Sequence, residues 1–234
     1  MRLGIKNLLR RENIRAFVLD NQSIYSWMHY MKKKIFADFI EEYFPEKSEI
    51  LLSKFNRFHQ YLKEENSKVN LISRKTPSED YWTLHFLDSI LPVKHIDFRR
   101  KNILDFGTGG GLPGIPLKII FQSSIVYLLD SKRKKIRAIE NIIKKLDLKK
   151  CFTIVSRLEE MEEKWFSKFD VIVCRSVKIL PKYKKWMFKL LKNDGEIILY
   201  KSRKLDDIKQ FSKTKIFDVS HNEIGKRKII KIKK

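Results

Sequence analysis

An apolar strand that runs straight into a glycine-rich turn constrains the fold of this chain more than any other feature. Residues 103–106 form the strand, residues 107–114 form the turn, and together they read ILDFGTGGGLPG. Because glycine has no Cβ, the backbone can turn tightly into a following helix, and a bulky ligand can lie directly against it. The stretch therefore predicts a strand, a turn and a helix beside a ligand.

Short apolar runs alternate with amphipathic runs through the rest of the C-terminal part of the chain. This alternation is typical of a parallel sheet covered by helices. It predicts strands over 102–106, 125–129, 152–155, 171–174 and 196–200, and helices over 116–121, 132–146 and 181–191. Two more apolar runs, 216–219 and 228–232, flank a turn at 222–225 and predict a C-terminal antiparallel hairpin.

Three amphipathic segments precede this α/β region and predict helices. The first begins near Ile35 and stops at Pro45, and the third, over 81–91, stops at Pro92. The second carries the apolar stripe Leu51, Phe55, Phe58 and Leu62. We therefore predict a tail over 1–34 that is either disordered or not translated, a helical N-terminal subdomain over 35–98 and an α/β domain over 99–234.

The chain is strongly basic, with 51 lysines and arginines against 28 acids and a formal net charge of +23. Such an excess is expected of a protein that works beside phosphates or an anionic membrane surface. The lysines are spread over the whole chain, so a compositional bias of the source can account for part of the charge. Charge alone favours nucleic-acid binding without establishing it.

Cysteine content and hydropathy exclude several classes of protein. Cys151 and Cys174 each lie in an apolar run, which indicates neither a disulfide framework nor a zinc site, so we expect no metal. No apolar stretch approaches the roughly 20 residues of a membrane span. The N-terminus is too rich in charge for a signal peptide. We expect a cytoplasmic protein that does not contact a membrane.

The glycine turn fits two kinds of cofactor. Gly109, Gly111 and Gly114 satisfy the dinucleotide pattern GxGxxG, in which a helix N-terminus receives a pyrophosphate. Gly107, Gly109 and Gly111 also follow the acid Asp105, which is the first motif of S-adenosylmethionine-dependent methyltransferases. A carboxylate suits a cofactor with a cationic tail and opposes a pyrophosphate. The motif favours S-adenosylmethionine, with an NAD-dependent oxidoreductase and a non-catalytic RNA-binding module as the alternatives.

Two further acids follow predicted strands. Asp130 stands where a carboxylate can accept hydrogen bonds from the ribose hydroxyls of an adenosine cofactor, or can cap the next helix. Glu159 follows the third strand, where folds of this kind place a loop against the adenine ring. It is therefore either a ligand of the adenine amino group or a surface carboxylate.

Several stretches together resemble one enzyme family. They are residues 70–73, 85–89, 105–117, 128–134, 169–172 with Arg175, and 199–201. The most specific is GLPGIP at 111–116, because other class I methyltransferases rarely carry two prolines there. From about residue 35 onward the chain resembles the bacterial 16S ribosomal RNA guanine-N7 methyltransferases, historically called glucose-inhibited division protein B.

The resemblance implies a class I, Rossmann-like fold, S-adenosyl-L-methionine as cofactor, and methylation at N7 of guanine 527 of 16S rRNA in the standard numbering. Together with the glycine motif, it implies cofactor contacts at Asp105, Gly107, Gly109, Gly111, Leu112, Asp130, Leu158, Glu159 and Arg175. The implied substrate is 16S rRNA or an assembling small ribosomal subunit, and we expect a monomer.

The chain departs from the family pattern at two places. The segment between Asn70 and His85 is one residue longer, so either Arg74 or Lys75 takes the family's basic position, and Lys201-Ser202 stands where the family has Lys-Gly. Basic residues also open the helix after the second strand, against the helix dipole, which indicates an anionic partner. The residues expected to line an RNA cleft are Arg74, Lys75, Lys132, Arg133, Lys135, Lys201 and Arg203.

Methylation at guanine N7 needs no general base, because N7 carries a lone pair and no proton. In agreement, the fourth strand is not followed by the Asn/Asp-Pro-Pro-aromatic run of exocyclic-amine methyltransferases, and Cys174 is not in the Pro-Cys pair of cytosine-C5 methyltransferases. We expect Cys174 to be a buried strand residue and His85 to be a packed, hydrogen-bonded histidine. Arg175 is expected to position a cofactor carboxylate or an RNA phosphate, with a plain salt bridge as the alternative.

Overall fold

A seven-stranded sheet forms the centre of the molecule, and the computed structural model describes residues 21–202 and 204–234. The strands are β1 (Asn102–Phe106), β2 (Ile125–Asp130), β3 (Cys151–Val155), β4 (Phe169–Arg175), β5 (Leu191–Lys201), β6 (Thr214–Asp218) and β7 (Lys228–Lys233). Their order is β3-β2-β1-β4-β5-β7-β6, the first five are parallel, and β7 runs antiparallel to both of its neighbours. The predicted parallel sheet with a C-terminal antiparallel hairpin is confirmed.

Helices cover both faces of the sheet. The α-helices of two turns or more are α1 (Asn21–Tyr43), α2 (Ser48–Lys68), α3 (Gly114–Ile120), α4 (Arg133–Leu146) and α5 (Pro181–Leu190). Short 3₁₀ turns occur at Pro45–Lys47, Ser78–Asp80, Leu91–Lys94, Leu158–Glu160, Glu163–Trp165 and Asp206–Ile208. Within the described residues, every helix is too short or too polar to cross a membrane.

Two hydrophobic cores lie on opposite sides of the sheet. Ile103 of β1 belongs to the core shared with α1 to α4, and its neighbour Leu104 belongs to the core shared with α5. Successive strand residues point to opposite faces, and here both faces are buried. This explains why the parallel strands read as continuous apolar runs rather than as alternating ones.

The third predicted helix is not a regular α-helix. Residues Tyr81–Leu87 form a π-helix, which continues into one α-helical turn at Asp88–Ile90 and then the 3₁₀ turn Leu91–Lys94. The prediction that this segment stops at Pro92 is wrong, because Pro92 lies in the first turn of the 3₁₀ segment. Backbone N–H groups in a first turn have no partner within the helix, so proline costs no hydrogen bond there. The stripe predicted for the second helix is buried, as expected, at Leu51, Phe55, Phe58 and Leu62 in α2.

Helix α1 crosses the boundary that the sequence predicts at residue 35. Its basic run contacts the rest of the chain, because Lys32 forms an ion pair with Asp80 and the Lys33 ammonium lies 5.6 Å from the centre of the Trp82 ring. Lysine stems can cover apolar surface while their charges find partners, so a helix of this kind shows weak hydrophobic periodicity. The part of the predicted tail over 1–20 lies outside the described residues.

Candidate active site

A crevice opens at the carboxyl ends of the strands, where the chain leaves β1 for β2 on one side and β4 flanks β1 on the other. In open α/β sheets, ligands bind at such a switch point. A cavity of about 230 Å³ lies here, and the predicted cofactor residues Gly107, Asp130, Leu158 and Glu159 all line it. The structure thus brings residues from three separate loops to one pocket.

The glycine turn needs its glycines for conformation and for space. Gly107, Gly109 and Gly111 have φ values of +74°, +57° and +80°, a region that residues with a Cβ rarely adopt. A Cβ on Gly107 would also lie 2.7 Å from Cγ2 of Val177, in the loop after β4. Leu112 continues the turn and is buried. The turn therefore brings bare backbone to the edge of the crevice.

Asp105 is fully buried at the end of β1 and is only half satisfied. Its Oδ2 atom accepts hydrogen bonds from Thr108 Oγ1 at 2.6 Å and from the Gly114 amide at 2.8 Å. Its Oδ1 atom is buried and has no hydrogen-bond partner among residues 21–202 and 204–234. Burial raises the pKa of this carboxyl from 3.8 to about 6. A buried carboxylate oxygen without a partner fits a cationic group such as the ammonium of S-adenosylmethionine.

Asp130 holds the glycine turn and the start of α4 together. Its Oδ2 atom accepts a hydrogen bond from the Gly109 amide at 3.1 Å, and its Oδ1 atom accepts one from the Lys132 amide at 2.9 Å. A carboxylate oxygen has two lone pairs, so each atom can still accept a hydroxyl proton from the cavity side. The geometry is compatible with both roles that the sequence left open, the ribose ligand and the helix cap.

Glu159 lies at the same cavity but is already paired. Its Oε1 atom accepts a hydrogen bond from Lys182 Nζ at 2.6 Å, and this contact lowers the pKa of Glu159. Lys182, at the start of α5, also lines the cavity and was not among the residues predicted from the sequence. A separation of 23 residues leaves no sequence signal that could have linked the two side chains.

Arg175 ends β4 and is tied to the helical N-terminal region. Its Nη1 atom donates to Asp88 Oδ2 at 3.1 Å and to the Leu84 carbonyl at 3.3 Å. The other oxygen of Asp88 accepts a hydrogen bond from Arg227 Nε at 2.8 Å. Within the described part of the chain, the hydrogen bonds of Arg175 engage Nη1 only, so the rest of its guanidinium can still serve a ligand.

The buried position expected for Cys174 is confirmed, whereas the hydrogen bonding expected for His85 is not. Cys174 is 2% exposed in β4, as predicted, and burial raises the pKa of its thiol above the ordinary range. His85 is packed, but the expectation that it is hydrogen-bonded is wrong, since neither ring nitrogen has a partner in the described parts of the chain. Burial, followed by the charge of Arg175, lowers the pKa of His85 to about 3.

Most of the basic residues predicted to bind RNA flank the glycine turn. Arg74 and Lys75 are exposed on a loop whose buried Leu71 and Ile72 pack against Gly110. Lys132 and Arg133 are exposed at the start of α4, and Lys135 is half-buried there. Lys201, by contrast, is paired with Asp207 at 2.5 Å, and its side chain is only 11% exposed. Arg203 lies outside the described residues.

A buried side-chain amide, which sequence patterns do not single out, holds the loop of Arg74 and Lys75 in place. The Oδ1 atom of Asn66, in the last turns of α2, accepts hydrogen bonds from the Leu71 amide at 2.9 Å and the Ile72 amide at 2.8 Å. Asn66 is 8% exposed. The basic loop therefore sits against the glycine turn in a fixed position.

Comparison with known proteins agrees with this architecture. A family model described as GidB, rRNA small subunit methyltransferase G, matches residues 51–229. The ribosomal RNA small subunit methyltransferase G of Mesoplasma florum is 38% identical over 181 residues, which are 77% of this chain and 75% of the relative. The protein of the same name from Christiangramia forsetii is 34% identical over 191 residues, which are 78% of this chain and 88% of the relative.

The fold has counterparts among solved structures. The crystal structure of a SAM-dependent methyltransferase from Aquifex aeolicus superposes with a TM-score of 0.50 at 14% sequence identity. The matched region spans 66% of this chain and 92% of the Aquifex chain. At this identity the likeness concerns the fold, and it confirms the predicted class I methyltransferase architecture. On the family model and the two relatives, this chain belongs to the GidB family of rRNA small subunit methyltransferase G proteins.

Proposed function

We propose that the chain transfers the methyl group of S-adenosylmethionine to N7 of a guanine in 16S rRNA, at position 527 in the standard numbering. The observation that carries the choice of cofactor is the Oδ1 atom of the buried Asp105, which has no hydrogen-bond partner in the described parts of the chain. Asp105 lies in β1, two residues before the first glycine of the turn. An ammonium group would satisfy this oxygen, whereas the carboxylate would repel a pyrophosphate. The same observation disfavours a dinucleotide-dependent oxidoreductase.

The residues around the cavity divide the binding of the cofactor between them. Asp130 would accept the ribose hydroxyls, Glu159 the adenine amino group, and Leu158 would form an apolar wall against the adenine. The backbone of the glycine turn, at Gly107, Gly109, Gly111 and Leu112, would lie along the amino-acid end. Arg175 would use its remaining N–H groups to hold the cofactor carboxylate or an RNA phosphate.

When bound, S-adenosylmethionine supplies an electrophilic methyl group that the lone pair of guanine N7 can attack without a base. The protein groups near the site are consistent with that requirement. His85, with a pKa of about 3, is neutral near pH 7, and the buried thiol of Cys174 stays protonated. The chain would therefore contribute alignment and the exclusion of water rather than proton transfer.

The RNA would approach over the basic residues beside the glycine turn. Arg74 and Lys75 stand on one side of the turn, and Lys132, Arg133 and Lys135 stand at the start of α4. We propose that they hold phosphates of 16S rRNA, free or within an assembling small subunit. We further propose that the chain acts as a monomer.

The reaction product tests the proposal directly. The protein is incubated with methyl-labelled cofactor and 16S rRNA that lacks the modification, and the RNA is treated with borohydride and aniline, which cleave at 7-methylguanine. We expect label in the RNA and one new cleavage site. Label on an exocyclic nitrogen or on cytosine, or no label in RNA, would overturn the proposal, as would calorimetric binding of NAD in place of S-adenosylhomocysteine.

A further inference from the structure

The loop that follows β4, residues 176–180, packs against the glycine turn. We call it the β4 loop. Its Val177 lies so close to Gly107 that a Cβ there would come within 2.7 Å of Val177 Cγ2. Arg175 precedes the loop, and Lys182, which lines the cavity, follows it. The β4 loop therefore contacts the glycine turn directly and joins Arg175 to the helix that carries Lys182.

The backbone of the β4 loop is strained at its first residue. Ser176 has a φ of +60°, in the left-handed region that side chains with a Cβ rarely adopt. Such a conformation is strained and persists only where the surrounding structure holds it. The contacts that hold the loop should therefore be identifiable.

Those contacts come from the last residue of β5 and from the segment after it, neither of which lines the cofactor cavity. The Ile179 amide donates to Asp207 Oδ2 at 2.8 Å, and Gln210 Nε2 donates to the Ile179 carbonyl at 3.0 Å. Lys201 Nζ donates to the same oxygen of Asp207 at 2.5 Å and reaches the Val177 carbonyl at 3.5 Å. Both backbone groups of Ile179 are thus bonded to side chains from one short stretch.

The ion pair inside this arrangement is shielded from water. The side chains of Lys201 and Asp207 are 11% and 10% exposed. A charge-assisted hydrogen bond to a buried carboxylate is stronger than a neutral one and more costly to break. This gives Lys201 a use that differs from contact with RNA, since its charge is taken up by Asp207.

We propose that Lys201, Asp207 and Gln210 form a clamp that positions the β4 loop for methyl transfer. Asp207 is the central positioning residue, because it accepts hydrogen bonds from both the loop and Lys201. The inference rests on the proposed methyltransferase function for its kinetic consequence. The structural consequence, a loop fixed at Ile179, is independent of that function.

The test compares neighbouring acids in one turn. Asp207→Ala removes the acceptor of the Ile179 amide, and Asp206→Ala removes a matched carboxylate that is 83% exposed and contacts only the exposed Lys209 within the described chain. Asp207→Asn keeps an oxygen for Ile179 but loses the charge that Lys201 needs. For each variant one measures kcat and KM with unmodified 16S rRNA, the affinity for S-adenosylhomocysteine, and hydrogen exchange across residues 176–180.

For Asp207→Ala we expect exchange in the β4 loop to be about tenfold faster or more and kcat to fall by a similar factor, with a smaller change in S-adenosylhomocysteine affinity. Asp207→Asn should recover most of the lost kcat, and Asp206→Ala should match the wild type. Where Asp207→Ala does not fold, Gln210→Ala, which removes only the bonds of that amide, serves with the same readouts.

Equal exchange and equal kcat in Asp207→Ala and Asp206→Ala would overturn the clamp. A merely structural role of Asp207 would lower thermal stability without the loss of kcat and its rescue by Asp207→Asn, and that result too would reject it. If the wild-type protein places no methyl group on guanine N7, the proposed function fails instead. In that case the comparison of hydrogen exchange across residues 176–180 in Asp207→Ala and Asp206→Ala still tests the clamp.

Discussion

The ionisation of Asp105 should make the stability of the cofactor-free protein depend on pH. Burial raises the pKa of this carboxyl from 3.8 to about 6, so the folded protein binds the proton more tightly than the unfolded chain does. Protonation of Asp105 therefore stabilises the fold. The gain is complete below about pH 4 and is lost as the pH rises through about 6. The difference between the two pKa values corresponds to about 3 kcal/mol.

Asp105→Asn provides the reference for this measurement. The amide keeps an oxygen that can accept the hydrogen bonds of Thr108 and Gly114, but it cannot ionise. Unfolding free energies from urea titrations between pH 4.5 and 8 would be compared in the two proteins. All other titrating groups contribute nearly equally to both, so the difference isolates Asp105. We expect the wild type to gain about 2 kcal/mol relative to the variant as the pH falls from 8 to 4.5, because the rest of the gain comes below this range.

The same carboxylate should link pH to cofactor binding. If the ionised Oδ1 atom receives the ammonium of S-adenosylhomocysteine, then protons compete with the ligand below about pH 6. Calorimetry should show an affinity that falls with decreasing pH in the wild type. In Asp105→Asn the affinity should be weaker by about 1.5–3 kcal/mol near pH 8 and show little dependence on pH. Parallel stability curves, together with equal ligand affinities in the two proteins, would refute the reasoning.

Three further perturbations follow from the geometry. Gly114→Ala places a Cβ 2.2 Å from Leu128 Cδ2 and should lower the free energy of unfolding by about 1–3 kcal/mol, as measured by urea titration. Alanine at both Lys132 and Lys135 should weaken RNA binding and flatten its salt dependence by about 0.7 per lost phosphate contact, with S-adenosylhomocysteine affinity unchanged; a slope equal to the wild type would exclude these contacts. Asp88→Ala leaves two arginines without their carboxylate and should destabilise the fold by about 3 kcal/mol, which thermal unfolding would detect.

The strands were predictable from the sequence, but hydropathy placed the ends of three of them one residue too early. The prediction stopped at Leu129, Cys174 and Tyr200, whereas β2, β4 and β5 each continue by one residue, to Asp130, Arg175 and Lys201. An apolar run ends where the first polar side chain appears. These polar residues lie at the carboxyl ends of parallel strands, at the edge of the sheet where ligands bind. A hydropathy pattern alone therefore leaves out Asp130 and Arg175, which the motif spacing and the family resemblance supplied.

The partners of the charged site residues were not predictable. Glu159 meets Lys182 across 23 residues, Arg175 meets Asp88 across 87, and Arg227 meets Asp88 across 139. Hydrophobic periodicity reports which face of an element is buried, but it carries no information about which distant side chains meet. Helix α1 was missed before residue 35 for a related reason, because its lysines contact distant residues instead of forming an apolar stripe.

The partners also determine where cofactor binding gains free energy. At Glu159 an adenine amino group must replace or share the ammonium of Lys182, so one hydrogen bond is exchanged for another. At Asp130 both oxygens already accept backbone amides, and a ribose hydroxyl adds to a satisfied group. Asp105 alone among these three acids has a buried oxygen with no partner in the described residues. The largest net gain should therefore come from the amino-acid end of the cofactor, where a cation relieves a desolvated charge.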